Sequence, residues 1–582
     1  MTSLPDHQPL LSAFCEELAR CGLRDACTSP GSRCAPLVLA LTAEQQLRCH
    51  SHIDERGAGF FALGLAKASY RPVALTCTSG TAVAELLPAV VEAHEARVPL
   101  IVLSADRPSE LRDIGAGQTI DQLNIFGRFA KWFFEVGTHE CSEASVRWLR
   151  TLACRAYWTA VEGRPGVVHL NFALREPLVS GRAAAAAAPG GRSDGQPYVR
   201  RLRLYRDEEE ANMAWSIAHA VGDARRVALV AGRFERDEPV AEAASELCQS
   251  RGWVLLADPM SGARIGDAAI AHYDALLRMP TLATELAPEA VLRLGDLPVS
   301  KPLRQWLGGL TDIPQIALDP EGAWQDPASV LSQSFDAEIS TALWALGKLS
   351  DAEPDPDWLP SWRAADECAA AAIGGVLAPE GLSEPTVAAE LGALLPWQAT
   401  LFVASSMPVR DIESFWPVRE DPPRVLCNRG ANGIDGTVSS AFGAAATGGG
   451  PVVLLIGDVA FAHDLGGLLA GKRLGLKLTI VLIDNDGGGI FDFLPVSDAP
   501  LAFQADRYRE HIATPTGLDF AKAADLYGLE HEPVSDVAGF RAALEHALAA
   551  PRSTLIEVKT ERAANVDLHR RAWEAVARAL AH

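Results

Sequence analysis

Apolar and polar residues follow one another along this chain in two recurring patterns. Short runs rich in Val, Leu, Ile and Ala alternate with longer mixed stretches of helical periodicity. Short apolar runs bounded by Gly, Asp or Ser are typical of buried parallel strands, and stretches of ~10–15 mixed residues between them are typical of connecting helices. The alternation predicts βαβ units along the whole chain.

Two stretches interrupt the alternation and are predicted to be linkers. Gly181–Pro197 is rich in Ala, Gly and Pro, and Lys348–Trp362 is acidic and rich in Pro. At 582 residues the chain is long enough for several domains. The expected domains span residues 1–182, 198–347 and 370–582, and each is predicted to be a doubly wound α/β domain with a mostly parallel sheet.

The clearest predicted strands are distributed over all three expected domains, which are called the first, second (or middle) and third block below. A helix is expected at about Pro9–Cys21 and another at about His463–Leu474. Ligands of such sheets bind at the carboxyl ends of the strands, which directs attention to the residues that follow each run. The strand sequences are VALTCTSG, PLIVLSAD and GVVHLNF in the first block, RVALVAG, WVLLADP, AVLRLGD and IPQIALD in the second, and TLFVASS, RVLCN, PVVLLIGD and LTIVLIDND in the third.

Composition and charge exclude several classes of function. The formal net charge of −22 disfavours broad binding to nucleic acid or to an anionic membrane, since both require a basic face. The first residues, MTSLPDHQPL, lack a signal pattern, and the apolar runs are far shorter than the ~20 residues of a membrane span, so a cytoplasmic protein is expected. The 11 cysteines include no Cys-x-x-Cys pair and are expected to be buried apolar residues.

The third block has two polar residues at the ends of neighbouring predicted strands. Asp458 follows PVVLLIG, and Asn485 follows LTIVLID and precedes the glycines Gly487–Gly489. Taken singly, each is typical of a helix cap or a turn. Together they place a carboxylate and an amide oxygen at one sheet edge, beside a backbone carbonyl from the glycine-rich turn. This donor set suits Mg²⁺ with positions left open for phosphate oxygens.

This arrangement resembles the Mg²⁺-thiamine-diphosphate motif of the thiamine-diphosphate-dependent enzymes, Gly-Asp-Gly followed about thirty residues later by Asn-Asn. The sequence departs from the motif at Val459 and Asp484, neither of which removes a metal-binding side chain. The resemblance implies thiamine diphosphate with Mg²⁺ or Mn²⁺ as cofactors. It also implies that the metal is bound by Asp458, Asn485 and Gly487, and that the cofactor is further contacted by Ser406, Ile434, Ile490 and Phe491.

The segment HIDERGAGFFALGLAKAS raises a separate question, because its predicted helix begins with Glu55 and contains Gly57, Gly59 and Gly64. Each glycine weakens a helix by about 1 kcal/mol, so the close approach of another backbone or a ligand is expected, and subunit packing is one interpretation. A glutamate at a helix N-terminus is usually explained by the helix dipole. In the resembled family a glutamate in this place hydrogen-bonds the aminopyrimidine ring and activates the cofactor, which implies a catalytic role for Glu55.

Further segments narrow the resemblance to the family branch of menaquinone biosynthesis. These are TSPGSRCAPL, TSGTAVAELLPAVVEAHEARVPLIVLSADRP, GAGQTIDQ, NRGANGIDGTVSSAFGAA and NDGGGIFDFLP. The branch implies decarboxylation of 2-oxoglutarate, addition of the resulting succinic semialdehyde carbanion to isochorismate, and release of CO₂. It also implies a homo-oligomer, a dimer or a tetramer, in which two subunits share each active site.

Both implied substrates are dicarboxylates, so their binding within an acidic protein requires a local cluster of basic and polar side chains. Any one arginine taken alone is usually a solvated surface charge. Several polar and basic residues nevertheless lie together in strand-end loops of the segments that resemble the family, which favours a role in substrate binding. Lys301 in VSKPLRQW lies outside these segments and is a weaker candidate. The candidate substrate residues are Ser32, Arg33, Arg107, Gln118, Lys301, Arg410 and Arg429.

Two other interpretations stay open at this stage. One is a relative with a different acceptor, such as acetohydroxyacid synthase, oxalyl-CoA decarboxylase or pyruvate oxidase. The other is a non-catalytic Rossmann-like protein, since fold alone does not establish function. The joint presence of Glu55, Asp458 and Asn485 favours an enzyme.

Overall fold

The computed structural model describes residues 7–179, 189–202, 207–349, 353–497 and 505–581. The chain forms three β-sheets, and within these ranges all neighbouring strands run parallel. The prediction of three α/β domains with parallel sheets is confirmed. The predicted linker Gly181–Pro197 lies partly outside the described residues, as do the expected domain limits at residues 1, 182 and 582.

The first sheet has six strands: β1 (Asp25–Thr28), β2 (Arg48–Ser51), β3 (Val73–Cys77), β4 (Leu100–Asp106), β5 (Ala130–Glu135) and β6 (Val167–Ala173). Their order is β2-β1-β3-β4-β6-β5. The chain therefore reverses direction across the sheet between β1 and β3, and the carboxyl ends of these two strands flank the crevice in which such folds bind ligands. The helices of this part are α1 (Gln8–Cys21), α2 (Ala35–Ala43), α3 (Glu55–Ser69), α4 (Thr81–Glu85), α5 (Leu87–Ala96) and α6 (Glu143–Val161).

The second sheet has five strands: β7 (Val227–Ala231), β8 (Val254–Ala257), β9 (Ala290–Leu294), β10 (Gln315–Leu318) and β11 (Gln333–Phe335). Their order is β11-β10-β9-β7-β8. The four apolar runs of the middle block form β7 to β10, which are almost entirely buried, as their composition predicts. The accompanying helices are α7 (Asp207–Val221), α8 (Val240–Arg251), α9 (Tyr273–Leu276), α10 (Pro280–Glu285), α11 (Lys301–Gly309) and α12 (Ile339–Gly347).

The third sheet has six strands: β12 (Thr400–Val403), β13 (Arg424–Cys427), β14 (Val452–Gly457), β15 (Thr479–Asp484), β16 (Glu530–Val534) and β17 (Thr554–Lys559). Their order, β13-β12-β14-β15-β17-β16, repeats that of the first sheet. The remaining helices are α13 (Trp358–Leu377), α14 (Glu384–Leu394), α15 (Met407–Phe415), α16 (Thr437–Ala445), α17 (Asp458–His463), α18 (Leu468–Leu474), α19 (Ala505–Tyr508), α20 (Phe520–Tyr527), α21 (Val537–Ala549) and α22 (Arg562–Ala579).

The chain divides into two compact units. One unit comprises Met1–Leu204, Asn428–Gly448 and His463–Leu476, so that α16 and α18 belong to it together with the first sheet. The other comprises Tyr205–Cys427, Gly449–Ala462 and Lys477–His582, and it contains the second and third sheets.

Two of the three glycines of α3, Gly59 and Gly64, are explained by close packing inside the first unit. A Cβ atom at Gly64 would lie 1.9 Å from the carbonyl oxygen of Ser440 in α16, and one at Gly59 would lie 2.8 Å from the Cβ of Ala89 in α5. The expected close approach of another backbone is confirmed for Gly64. It occurs within one chain, and the interpretation of these glycines as a contact between subunits stays a prediction.

The helix predicted over His463–Leu474 is interrupted, so this prediction is wrong. Helix α17 ends at His463, a 3₁₀ turn covers Leu465–Gly467, and α18 begins at Leu468. The buried Asp464 lies at the break, where its carboxylate accepts the backbone N–H of Ser439 (2.7 Å) and the Ser439 hydroxyl (3.2 Å). Asp464 thereby caps the first turn of α16, whose own N-cap residue is a glycine.

The structure also bears on the expectations about cysteines and membrane-spanning helices. All 11 cysteines are free thiols. Eight of them are buried, as expected, whereas Cys49 and Cys368 are half-buried and Cys141 is exposed, so the prediction is wrong for these three. In the part of the chain that the structure describes, no helix has both the length and the apolar character needed to cross a membrane.

Candidate active site

Asp458 and Asn485 lie at the same edge of the third sheet, as their positions in the sequence predict. Strands β14 and β15 pair in parallel with Gly457 opposite Ile483, so both strands deliver their following residues to one place. The buried Asp458 carboxylate accepts the N–H of Val459 and the N–H of Gly487, both at 2.8 Å. The carboxylate therefore joins the end of β14 to the glycine turn after β15.

Gly487 meets a geometric requirement of this turn. Its φ of +127° is outside the range that residues with side chains readily adopt, and a Cβ atom would lie 2.4 Å from the Ala513 carbonyl oxygen. The Gly487 carbonyl accepts the N–H of Gly489 at 2.8 Å and retains a second lone pair. The backbone of the turn can thus come within reach of a ligand at the strand ends.

The side-chain amide of Asn485 is hydrogen-bonded to described residues through its nitrogen but not through its oxygen. Its Nδ2 donates to Oε1 of Glu384 at 3.0 Å, whereas its buried Oδ1 has no hydrogen-bond partner among the described residues. Buried amide oxygens are nearly always paired, so an orphan of this kind calls for a ligand. The oxygens of Asp458 and Asn485 are a hard donor set that fits a divalent cation.

The electrostatics of Asp458 agree with a cation site. Burial, together with the negative charges of Asp484 and Asp486, raises the pKa of the Asp458 carboxyl to about 6, against the hydrogen bonds from Gly487 and Val459 that lower it. A divalent cation supplies the opposite charge that would stabilise the ionised carboxylate in this buried place.

Ile490 and Phe491 follow in the same turn, in a 3₁₀ helix over Gly489–Phe493. Both side chains are half-buried. The turn is anchored by the N–H of Gly488, which donates to the Ala513 carbonyl at 2.6 Å. Ile490 and Phe491 therefore belong to the anchored turn that follows Asn485.

Ser406 and Arg410 lie after β12, the first strand of the third sheet. Ser406 has a φ of +76° and a ψ of −131°, a conformation that is rare for a residue with a side chain, and its carbonyl accepts a hydrogen bond from the Arg410 guanidinium. Strained backbone of this kind occurs preferentially at functional sites. The half-buried Ser406 and Arg410 thus occupy the strand-end position at the crevice of the third sheet.

Glu55 is the first residue of α3, as predicted, and its side chain is half-buried. The N-cap is the preceding Asp54, whose carboxylate accepts the N–H of Arg56 at 2.9 Å. Because Asp54 performs the capping, the Glu55 carboxylate is available for another role. Burial raises the pKa of Glu55, and the negative charges of Asp54 and Glu85 raise it further.

A cluster of polar side chains lies at the carboxyl ends of the strands of the first sheet. Arg107 donates to the Ser79 hydroxyl and to the Gln118 carbonyl, the latter at 2.7 Å. The Gln118 side chain in turn donates to the Ser79 carbonyl at 2.9 Å, from a backbone with a φ of +57°. Arg107 and Gln118, both predicted substrate residues, are therefore brought together through Ser79.

Arg33 belongs to the same electrostatic neighbourhood. It is buried, donates to the Leu174 carbonyl at 2.8 Å and pairs with Glu176 at 3.2 Å, while its Nε has no hydrogen-bond partner among the described residues. Burial and then the charge of Arg33 lower the pKa of Arg107. Two guanidinium groups that repel each other, one with a free N–H, are a suitable receptor for a carboxylate. Ser32, the neighbour of Arg33, is exposed.

Arg429 and Ile434 lie in the loop between β13 and α16, and both are half-buried. Sequence reasoning missed the residue that secures this loop. The buried Glu92 of α5 accepts the N–H of Gly430 at 2.8 Å and that of Ala431 at 2.6 Å. A Cβ atom at Gly430 would lie 2.6 Å from the backbone nitrogen of Ala96, so the loop lies directly against α5.

Lys301 is the first residue of α11, one of the helices that accompany the second sheet, and is exposed. None of the hydrogen bonds or ion pairs observed for the described residues connects Lys301 with the other predicted substrate residues. Its assignment therefore stays a prediction.

Comparison with known proteins assigns the chain to a family. Three family models match: the N-terminal TPP binding domain of thiamine pyrophosphate enzymes at residues 10–125, their middle domain at 193–403, and their C-terminal TPP binding domain at 408–558. Two relatives are each named 2-succinyl-5-enolpyruvyl-6-hydroxy-3-cyclohexene-1-carboxylate synthase. The one from Geobacillus kaustophilus is 44% identical over 98% of both chains, and the one from Listeria monocytogenes is 39% identical over 98% of this chain and 97% of its own. The chain therefore belongs to the thiamine pyrophosphate enzymes, in the family of these synthases.

Proposed function

We propose that this protein is a thiamine-diphosphate-dependent carboligase that catalyses the reaction named in its relatives. It decarboxylates 2-oxoglutarate and joins the remaining four-carbon unit to isochorismate, with release of one CO₂, in menaquinone biosynthesis. The observation that carries the proposal is the location of two oxygens at one sheet edge beside the Gly487 turn. They belong to the buried Asp458 carboxylate and to Asn485, whose Oδ1 has no hydrogen-bond partner among the described residues. This arrangement fits a metal ion that binds a diphosphate.

Thiamine diphosphate, when bound, supplies the carbon nucleophile that attacks the 2-oxo group and accepts the electron pair released with CO₂. Asp458, Asn485 and the Gly487 carbonyl would bind Mg²⁺ or Mn²⁺, and Ser406, Ile434, Ile490 and Phe491 would orient the cofactor. Glu55 would hold and exchange a proton at its carboxyl group, a role that the raised pKa of this group supports.

The basic residues would bind the carboxylates of the two substrates. Arg33 and Arg107, with Ser32 and Gln118, lie in the first compact unit. The Nε of Arg33, which has no hydrogen-bond partner in the described part of the chain, supports an anion site there. Arg410, Arg429 and Lys301 are proposed to contact the remaining carboxylates. Arginine suits this work because its planar fork pairs with a carboxylate through two hydrogen bonds.

The proposal also covers the domain limits, the location in the cell and the oligomeric state. The domains are proposed to span residues 1–182, 198–347 and 370–582. The enzyme is proposed to act in the cytoplasm as a homodimer or a tetramer, with the metal-binding residues of one subunit and Glu55 of a second subunit contributing to each active site.

Product analysis tests the function directly. Purified protein is incubated with thiamine diphosphate, Mg²⁺, 2-oxoglutarate and isochorismate, and the products are identified by mass spectrometry together with released CO₂. We expect one CO₂ for each isochorismate consumed and a product that contains both carbon skeletons. Consumption of 2-oxoglutarate without loss of isochorismate would indicate a different carboligase, and no consumption at all would indicate a non-catalytic protein.

A further inference from the structure

Glu384 is a buried acid to which the proposed mechanism gives no role. It is the first residue of α14, directly after the N-cap Ser383, and is only 3% exposed. Among the described residues no lysine or arginine forms an ion pair with it. An unpaired buried carboxylate is costly to the folded state, so its presence needs an explanation in its contacts.

Those contacts lead to the metal site. One oxygen of Glu384, Oε1, accepts two hydrogen bonds, from Nδ2 of Asn485 at 3.0 Å and from the hydroxyl of Thr560 at 2.9 Å. Asn485 follows β15 and Thr560 follows β17, the neighbouring strand, so a single carboxylate connects two strand ends with the start of a helix.

The bond to Nδ2 determines which way the Asn485 amide faces. A carboxylate oxygen only accepts hydrogen bonds, so it selects the NH₂ end of the amide and turns Oδ1 to the opposite side. On that side Oδ1 has no partner among the described residues. A Cβ atom at Gly489 would lie 2.9 Å from Nδ2, so the turn also confines the amide group.

We propose that Glu384 is a positioning residue for the metal site, which fixes the Asn485 amide with its oxygen facing the divalent cation. The proposal rests on the proposed function, since it assumes a metal ion between Asp458 and Asn485. Without the acceptor at residue 384, the amide is free to present NH₂, which repels a cation. Residues that orient metal ligands in this way typically change metal affinity by about 10- to 100-fold when they are replaced.

The test measures metal binding rather than turnover. Mn²⁺ is titrated into the full-length protein with thiamine diphosphate present, and bound metal is followed by electron paramagnetic resonance. We expect the apparent Kd for Mn²⁺ to rise by about 10- to 100-fold in Glu384→Leu. Leucine has a similar size, suits a buried position and accepts no hydrogen bond. Glu384→Gln keeps one acceptor oxygen and is expected to have an intermediate affinity.

Two controls separate orientation from a general structural effect. Thr560→Val removes the other hydrogen bond to the same oxygen and should leave the Kd for Mn²⁺ within about 2-fold of the wild-type value. In a double-mutant cycle, Glu384→Leu should add no further loss of affinity to Asn485→Ala, because its effect passes through the Asn485 side chain. A thermal unfolding midpoint near that of the wild type confirms that the Leu variant is folded.

The possible failures are distinguishable. If the wild-type protein itself binds no Mn²⁺ in the presence of thiamine diphosphate, the proposed function is contradicted. If the wild type binds Mn²⁺ and Glu384→Leu binds it equally well, the positioning role is overturned. It is also overturned if Glu384→Leu weakens binding equally in the presence and absence of the Asn485 side chain.

Discussion

Gly64 of α3 lies so close to Ser440 of α16 that a Cβ atom at residue 64 would be 1.9 Å from the Ser440 carbonyl oxygen. Such a distance to a backbone atom cannot be relieved by rotation of a side chain. The packing of the helix that begins with Glu55 therefore depends on the absence of a side chain at this position.

Gly64→Ala is expected to destabilise the protein strongly. Overpacking usually costs about 1–3 kcal/mol, and a clash with backbone lies at the upper end of this range or above it. The readouts are the thermal unfolding midpoint and the yield of folded protein. Gly57→Ala in the same helix is the matched control, because its Cβ would lie 3.4 Å from the Ser439 hydroxyl and alanine favours a helix by about 1 kcal/mol. Equal stability of the two variants would contradict the packing argument.

Asp464 is expected to make stability depend on pH. Burial raises the pKa of this carboxyl from 3.8 to about 6, against the hydrogen bonds from Ser439 that lower it. Between these two values the folded protein binds more protons than the unfolded chain. The free energy of unfolding therefore falls as pH rises through this window, by up to about 3 kcal/mol.

Asp464→Asn removes this titration and preserves the size of the side chain. Its amide oxygen can accept the Ser439 N–H, and its NH₂ can donate to the Ser439 hydroxyl. Thermal unfolding midpoints of the metal-free proteins are compared at pH 4.5 and pH 7.5, so that other titrating groups cancel between wild type and variant. The midpoint of the variant should gain on that of the wild type as pH rises, and a difference that is constant with pH would contradict the prediction.

Glu92 is expected to protect the loop that carries Arg429 and Ile434. In Glu92→Gln only one oxygen remains, so it can accept the N–H of Gly430 or of Ala431 but not both with its former strength. A charge-assisted hydrogen bond contributes about 1.5–3 kcal/mol, so amide hydrogen exchange in the Gly430–Ala431 segment should accelerate by about 10- to 100-fold. Mass spectrometry of exchanged peptides measures this rate.

Glu95→Gln provides the control for Glu92→Gln. Glu95 is in the same helix, but its carboxylate accepts no hydrogen bond from any residue that the structure describes. Its replacement should leave exchange in the loop unchanged. Acceleration of the same size in both variants would assign the effect to α5 as a whole rather than to the Glu92 carboxylate.

Much of the fold follows from local sequence patterns. The apolar runs predict β3, β4, β6 and the central strands of the other sheets, because burial on both faces leaves a continuous apolar signal. The same reasoning misses β2, Arg48–Ser51, whose residues are mostly polar and partly exposed at the edge of its sheet. It also extends a helix through Asp464, because helical periodicity does not reveal a carboxylate that caps a different helix.

Some residues of the candidate site can be predicted from local sequence patterns, and others cannot. Asp458 and Asn485 are predictable because each directly follows a recognisable strand, and parallel strands bring their ends together. Glu92 and Glu384 are missed because their hydrogen-bond partners are distant in sequence, by 338 residues for Gly430 and 101 residues for Asn485. Long-range contacts of this kind leave no local pattern, although an acid within a predicted buried helix is a signal to search for one.

A shared active site makes a prediction about mixed subunits. Glu55→Gln removes the proposed proton carrier, and Asp458→Ala removes the proposed metal ligand, so each variant alone should be inactive. In a mixed dimer, one of the two sites would combine an intact Glu55 from one subunit with an intact Asp458 from the other. Random exchange of equal amounts should therefore restore about a quarter of the wild-type activity.

The measurement is the rate of CO₂ release from 2-oxoglutarate and isochorismate after the variants are mixed. Differently tagged subunits establish by co-purification that exchange has occurred. The control is the double variant Glu55→Gln/Asp458→Ala mixed with either single variant, which leaves no site with both residues intact and should restore nothing. If tagged subunits exchange and the two single variants still recover no activity, Glu55 and Asp458 do not act across a subunit interface, and each subunit must instead contain a complete site.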